Sequence, residues 1–157
     1  MTETILDLAD CQATERLGLA VAKLLKPGQV VFLEGELGAG KTTLVRAILQ
    51  GMGWTGPVRS PSYSLIHTYP TLHPAIHHLD LYRLGSAEEA MGLDLDHLLQ
   101  DGPCLLVEWA DRLEGCIPSD FTVALEVTGP QSRRARIIEP ADAYIGALIT
   151  AQGANPK

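Results

Sequence analysis

The chain has little of what several function classes require. Its three cysteines, Cys11, Cys104 and Cys116, lie far apart and form no C-x-x-C pair, so neither a disulfide framework nor a zinc site is indicated. No apolar run approaches the length of a membrane span. The opening residues Met1-Thr2-Glu3-Thr4 carry no basic region and no signal-peptide core, which makes the cytoplasm the expected location. Basic residues are outnumbered, 12 Lys and Arg against 19 Asp and Glu. The resulting net charge of −7 makes the chain a poor stand-alone binder of a polyanion. If an RNA is involved, another protein is expected to hold it. Asparagine occurs once, at Asn155, so the guanine-reading N-K-x-D motif cannot be present. There are no repeats and no linker long enough to divide the 157 residues, so residues 1–157 are expected to form one domain with 153–157 as a tail.

What the chain does have is Gly35-Glu36-Leu37-Gly38-Ala39-Gly40-Lys41-Thr42, which reads as G-x-x-x-x-G-K-[ST], the Walker A phosphate-binding loop. Its setting suits the chemistry. The apolar run Val30-Val31-Phe32-Leu33 reads as a buried strand before it, and Thr43 to Gln50 as a helix after it. Glycines let the backbone curl so that consecutive N–H groups point at one anion. The helix N-terminus adds partial positive charge behind the phosphates. Lys41 supplies a full charge and faces phosphate instead of the core, and the Thr42 hydroxyl is placed to hold Mg²⁺.

Around this loop the pattern predicts an α/β fold, a P-loop NTPase-like three-layer sandwich with a mostly parallel central sheet. Thr4 to Leu8 reads as a short strand, and Asp10 caps a helix with Ala13, Leu17, Val21 and Leu24 on one face. Pro27-Gly28 stops that helix. Tyr63 to Tyr69 and Ala75 to Tyr82 read as strands around a turn at Pro70 to Pro74. Ser86 and Glu89 form a capping box, and Leu93 to Gln100 resumes as helix. Cys104 to Glu108 reads as a fully buried parallel strand. Thr122 to Val127 and Ala135 to Ile138 read as an antiparallel pair, followed by a helix over Ala141 to Ala151.

Hydrolysis at a phosphate loop needs a metal carboxylate and a group that places water. Glu108 ends the run Leu105-Leu106-Val107, the Walker B pattern, and is assigned as the direct or water-mediated metal ligand. Asp80 ends a less apolar run and is assigned to the attacking water or the metal's hydration shell. A solvent-facing strand end is the bland alternative for both. Ser60 and Ser62 flank Pro61 in a loop that either senses the γ-phosphate or is an ordinary turn. Adjacent His77 and His78 point to opposite faces of a strand, which argues against a metal site built with His73. Arg83 and Arg112 fit a phosphate contact, a surface position or a carboxylate pair equally well. Trp109 is core or the mouth of the site.

The stretch Gly35 to Thr43, then Ser60-Pro61-Ser62-Tyr63, His78-Leu79-Asp80-Leu81-Tyr82-Arg83 and Val107-Glu108-Trp109 occur in this order. In this the chain resembles the TsaE family, also called YjeE, bacterial P-loop ATPases of tRNA threonylcarbamoyladenosine synthesis. The likeness runs roughly from Asp10 to Pro118 and is weak beyond it. Ser62-Tyr63 stands where the family more often has Thr-Phe, a change that keeps a hydroxyl and an aromatic ring. The resemblance implies ATP and Mg²⁺ as ligands. It implies TsaD and TsaB as partners in an ATP-dependent complex, with tRNA met only through that complex and no membrane contact. It implies catalytic roles for Lys41, Asp80 and Glu108, a metal held by Thr42 and Glu108, and nucleotide contacts from Leu37, Gly38, Ala39, Gly40, Lys41, Thr42 and Thr43. Cys11, Asp111 and Arg133 are implied at the border of the adenosine. A small-molecule kinase is the runner-up, although no Arg-rich lid insertion is visible, and a nucleotide sensor without turnover is a further alternative.

Overall fold

The computed structural model describes residues 1–61, 64–84, 89, 92–113 and 117–152. One seven-stranded sheet runs through it in the order β1-β7-β6-β2-β5-β4-β3. The strands are β1 (Thr2–Leu8), β2 (Val30–Glu34), β3 (Ile66–Tyr69), β4 (Ile76–Asp80), β5 (Cys104–Glu108), β6 (Phe121–Val127) and β7 (Arg133–Glu139). The central strands β6, β2, β5 and β4 are parallel, and antiparallel pairs close both edges. Among the described residues the helices are α1 (Cys11–Leu24), α2 (Lys41–Gly51), α3 (Leu95–Leu98) and α4 (Ile145–Ala151).

The period of two along each strand splits the core. In β5, Cys104 and Leu106 join Val31 and Leu33 of β2 under α1, α2 and α4. Leu105 and Val107 face the other way and pack with Leu79, Leu81, Leu113 and the partly buried Leu95, Leu98 and Leu99. Among the described residues this second layer includes the four-residue α3 and a 3₁₀ turn over Ala110–Leu113. Across β1 and β7 the same face carries the pairs Asp7–Arg134 and Glu3–Arg136.

Local chemistry moves three expected boundaries. Asp10 caps α1 as expected, its carboxylate accepting from the Ala13 N–H at 2.9 Å. The helix expected from Leu93 begins only at Leu95, because Asp94 caps it by accepting from the His97 N–H at 3.1 Å. The last helix begins at Ile145 instead of Ala141. Pro140 to Ala143 form a turn, and the buried Glu139 carboxylate accepts from the Ile145 and Gly146 N–H groups, at 2.6 Å each. A buried carboxylate on two orphan N–H groups is a strong start signal. Strand β3 starts at Ile66, after Leu65 at φ 68°. Ser62, Tyr63, Ser86 and Cys116 lie outside the described residues, as does the 153–157 tail. No helix among the described residues is long and apolar enough to cross a membrane.

Candidate active site

The parallel strands end at a common edge, and the phosphate loop lies there, as ligand sites do in such sheets. Gly38 and Gly40 take φ 84° and 106°, and Gly40 is the left-handed residue that starts α2. A side chain at either position would be strained, so the curled loop depends on them. Leu37 at its tip is exposed, while Ala39 is buried.

A cleft of about 450 Å³ opens over the loop. Gly38, Gly40, Lys41, Thr42, Thr43, Ser60, Asp80, Glu108 and Trp109 line it. Pleat parity explains the acids. Asp80 and Glu108 are register partners on β4 and β5, and His78 precedes Asp80 by one pleat. All three therefore project to the helix-bearing side, Asp80 and Glu108 at the carboxyl ends of their strands. Asp80 is anchored at both oxygens: the Ser60 hydroxyl donates to Oδ2 at 2.7 Å and the Tyr82 N–H to Oδ1 at 3.1 Å. Glu108 is buried, and its Oε2 lies 2.6 Å from Nε2 of fully buried His78.

Lys41 departs from the simple picture of a side chain reaching into solvent. It is buried, its ammonium donating to the Gly35 carbonyl at 2.5 Å and lying 4.2 Å from the centre of the Trp109 ring. Trp109 itself has φ 59°, a left-handed conformation that bulky residues adopt at a cost. Its ring also tilts against Tyr82 at 5.0 Å. Trp109 thus belongs to the mouth of the site.

Arg133 is placed by register. It shares the parity of Ala135 and Ile137, so it points to the helix side, beneath the loop. Its guanidinium donates to the carbonyls of Gly38 and Ala39, both at 3.1 Å, and to those of Gly129 and Ser132 at 3.1 and 2.8 Å. It braces the loop through the Gly38 and Ala39 carbonyls.

The family model for threonylcarbamoyl adenosine biosynthesis protein TsaE matches residues 8–137. The chain belongs to the TsaE family. The match extends past Pro118, where the motif resemblance faded, and takes in Arg133. A relative from Nostoc sp. strain PCC 7120, a tRNA threonylcarbamoyladenosine biosynthesis protein TsaE, is 36% identical over 147 residues, covering 90% of this chain and 89% of its own. The Bacillus subtilis protein of that name is 35% identical over 123 residues, 78% and 77% of the two chains. The crystal structure of Bacillus subtilis YdiB superposes with a TM-score of 0.78 at 25% identity, over 97% and 95% of the two chains.

Within this TsaE fold, Lys41, Thr42, Asp80 and Glu108 share the phosphate cleft. Cys11 and Arg133 line a smaller cleft of about 210 Å³ with Thr14, Gly40 and Thr43. Asp111, expected beside Cys11 and Arg133, lines a different cavity of about 440 Å³ with Glu34, Glu36, Lys41 and Trp109. Arg83 and Arg112 line none of these three cavities. His78 heads the family motif, but the sequence assigns it no role at the site; pleat parity with Asp80 is the signal that places it there. Among the described residues no group of three or more His, Cys, Asp and Glu side chains forms a metal cage. The oxygen donors Thr42, Asp80 and Glu108 suit Mg²⁺, which commonly takes one or two carboxylates and completes its shell with water and phosphate.

Proposed function

We propose that this TsaE-family chain binds Mg²⁺ and ATP in the phosphate cleft and hydrolyses ATP in support of the TsaB–TsaD machinery of tRNA modification. The convergence of Lys41, Thr42, Asp80 and Glu108 on one cleft over the glycine loop carries this reading. The loop N–H groups hold the phosphates, and Lys41 leaves the Gly35 carbonyl to meet them. The hydroxyl of Thr42 and the carboxylate of Glu108 would hold Mg²⁺, which when bound would supply positive charge beside the phosphates. Asp80, anchored by Ser60 and Tyr82, orients water, and its bond to Ser60 ties the 59–61 loop to the reacting end of the nucleotide. Cys11 and Arg133 border the adenosine on one side of the loop. Asp111 approaches from the Trp109 side.

Arg133 is the one arginine among the described residues lining the phosphate cleft, and it is committed to backbone carbonyls. An arginine supplied by a partner can raise phosphoryl-transfer rates about 10³–10⁵-fold. The chain alone is therefore a slow ATPase in the cytoplasm, activated on joining TsaB and TsaD, with tRNA held by the complex. Phosphate release is measured for the chain alone and with TsaB and TsaD. The expected result is marked acceleration in the mixture and a loss of about 10²–10³ on Lys41→Met, which removes the charge but keeps an unbranched side chain. Equal rates alone and in the mixture would favour a self-sufficient enzyme such as a kinase.

A further inference from the structure

We propose that His78 is a positioning residue for Glu108, holding one carboxylate oxygen so that the other faces the phosphate cleft. The proposal rests on the Mg²⁺–ATP reading above. Glu108 has three rotatable side-chain bonds, and its carboxylate is nearly shut off from water. Nε2 of His78 meets Oε2 at 2.6 Å, while Oε1 has no protein partner among the described residues. The cleft is lined by Glu108 but not by His78, so the imidazole stands behind the carboxylate, one pleat back on the neighbouring strand.

The other ring nitrogen explains why a histidine is needed. Nδ1 of His78 is buried and has no hydrogen-bond partner. The network assigns the hydrogen to Nε2, which donates to the carboxylate and leaves only a lone pair unmet at Nδ1. If His78 served packing alone, an aliphatic side chain like Ile76 on the same face would do so without an unsatisfied buried nitrogen. Its one polar contact is Glu108, and a partner of this kind behind a ligating carboxylate is worth about 10–100-fold in metal affinity or activity.

The test compares His78→Leu, His78→Gln and Glu108→Gln in the full chain, using a fluorescent ATP analogue titrated with Mg²⁺ and steady-state hydrolysis. His78→Leu is expected to raise the Mg²⁺ midpoint by about 10–100-fold while leaving metal-free nucleotide affinity unchanged, and to lower kcat with KM for ATP held. The glutamine amide reaches the Nε2 position, so His78→Gln should recover most of both. The double variant His78→Leu/Glu108→Gln should be no worse than Glu108→Gln alone, because one group acts through the other. Nitrogen-15 spectra of the unaltered protein should show the Nε2–H form of His78, perturbed by Glu108→Gln. That measurement carries the test should His78→Leu fail to fold. An unmoved midpoint in His78→Leu, additive losses in the double variant, or hydrogen found on Nδ1 would overturn the proposal. If the unaltered chain showed no Mg²⁺ effect on nucleotide binding, the metal reading itself would fall and this with it. A normal effect retained in His78→Leu would remove the positioning role alone.

Discussion

Two cysteines mark opposite chemical environments. Cys11 is exposed at the start of α1 beside Thr43 and Arg133. Cys104 is buried at the start of β5, its thiol donating to the Lys26 carbonyl, and burial pushes its pKa up to about 11. The exposed Cys11 should therefore alkylate before Cys104, which burial shields and keeps as the unreactive thiol until the chain unfolds. Site-resolved mass spectrometry after iodoacetamide treatment checks this. ATP should slow the labelling of Cys11 if the cleft it lines holds the adenosine; unprotected labelling at saturating ATP would remove Cys11 from the site. Arg133 makes a second prediction at this scale. Lysine cannot reproduce a fork that reaches four carbonyls. Loss of even one charged hydrogen bond is worth about 1.5–3 kcal/mol, so Arg133→Lys should weaken nucleotide binding by about tenfold or more in calorimetry.

Helix α2 begins with Lys41 and Thr42 of the glycine loop, so whatever seats it also aims their side chains. Gly18 of α1 lets the two helices approach closely. A Cβ there would lie 2.4 Å from the Ala47 Cβ and 3.0 Å from the Leu44 carbonyl oxygen. Gly18→Ala must therefore push α2 away from α1, against the intrinsic gain that alanine brings within a helix. Overpacking of this kind costs about 1–3 kcal/mol, which denaturant unfolding would register as a lower midpoint. A shifted α2 should also weaken ATP binding in the folded variant. Wild-type stability and affinity in Gly18→Ala would show that the interface adapts freely.

Much of this was legible from the chain. Periodicity and turn chemistry gave β2, β5, α1 and the hairpin of β6 and β7, because hydrophobic spacing is a local property. The loop and its two acids were legible because each stands at the end of an apolar run. What remained hidden depends on register between distant strands. Nothing local says that His78 stands behind Glu108, or that Arg133 bonds to Gly38 and Ala39, 95 and 94 residues away. The burial of Lys41 was hidden for the same reason, since it depends on Trp109 taking a left-handed turn after β5.

The span between Arg133 and the loop it braces has a temporal meaning as well. A ribosome delivers the glycine loop early and β7 late. During synthesis the loop therefore exists for most of the chain's emergence without its support, and β1 likewise waits for β7, the strand it pairs with among the described residues. Long-range closures of this kind are slow, because the connecting chain must be ordered before the contact returns any stability. The glycine loop thus takes its braced form only once β7 has joined the sheet.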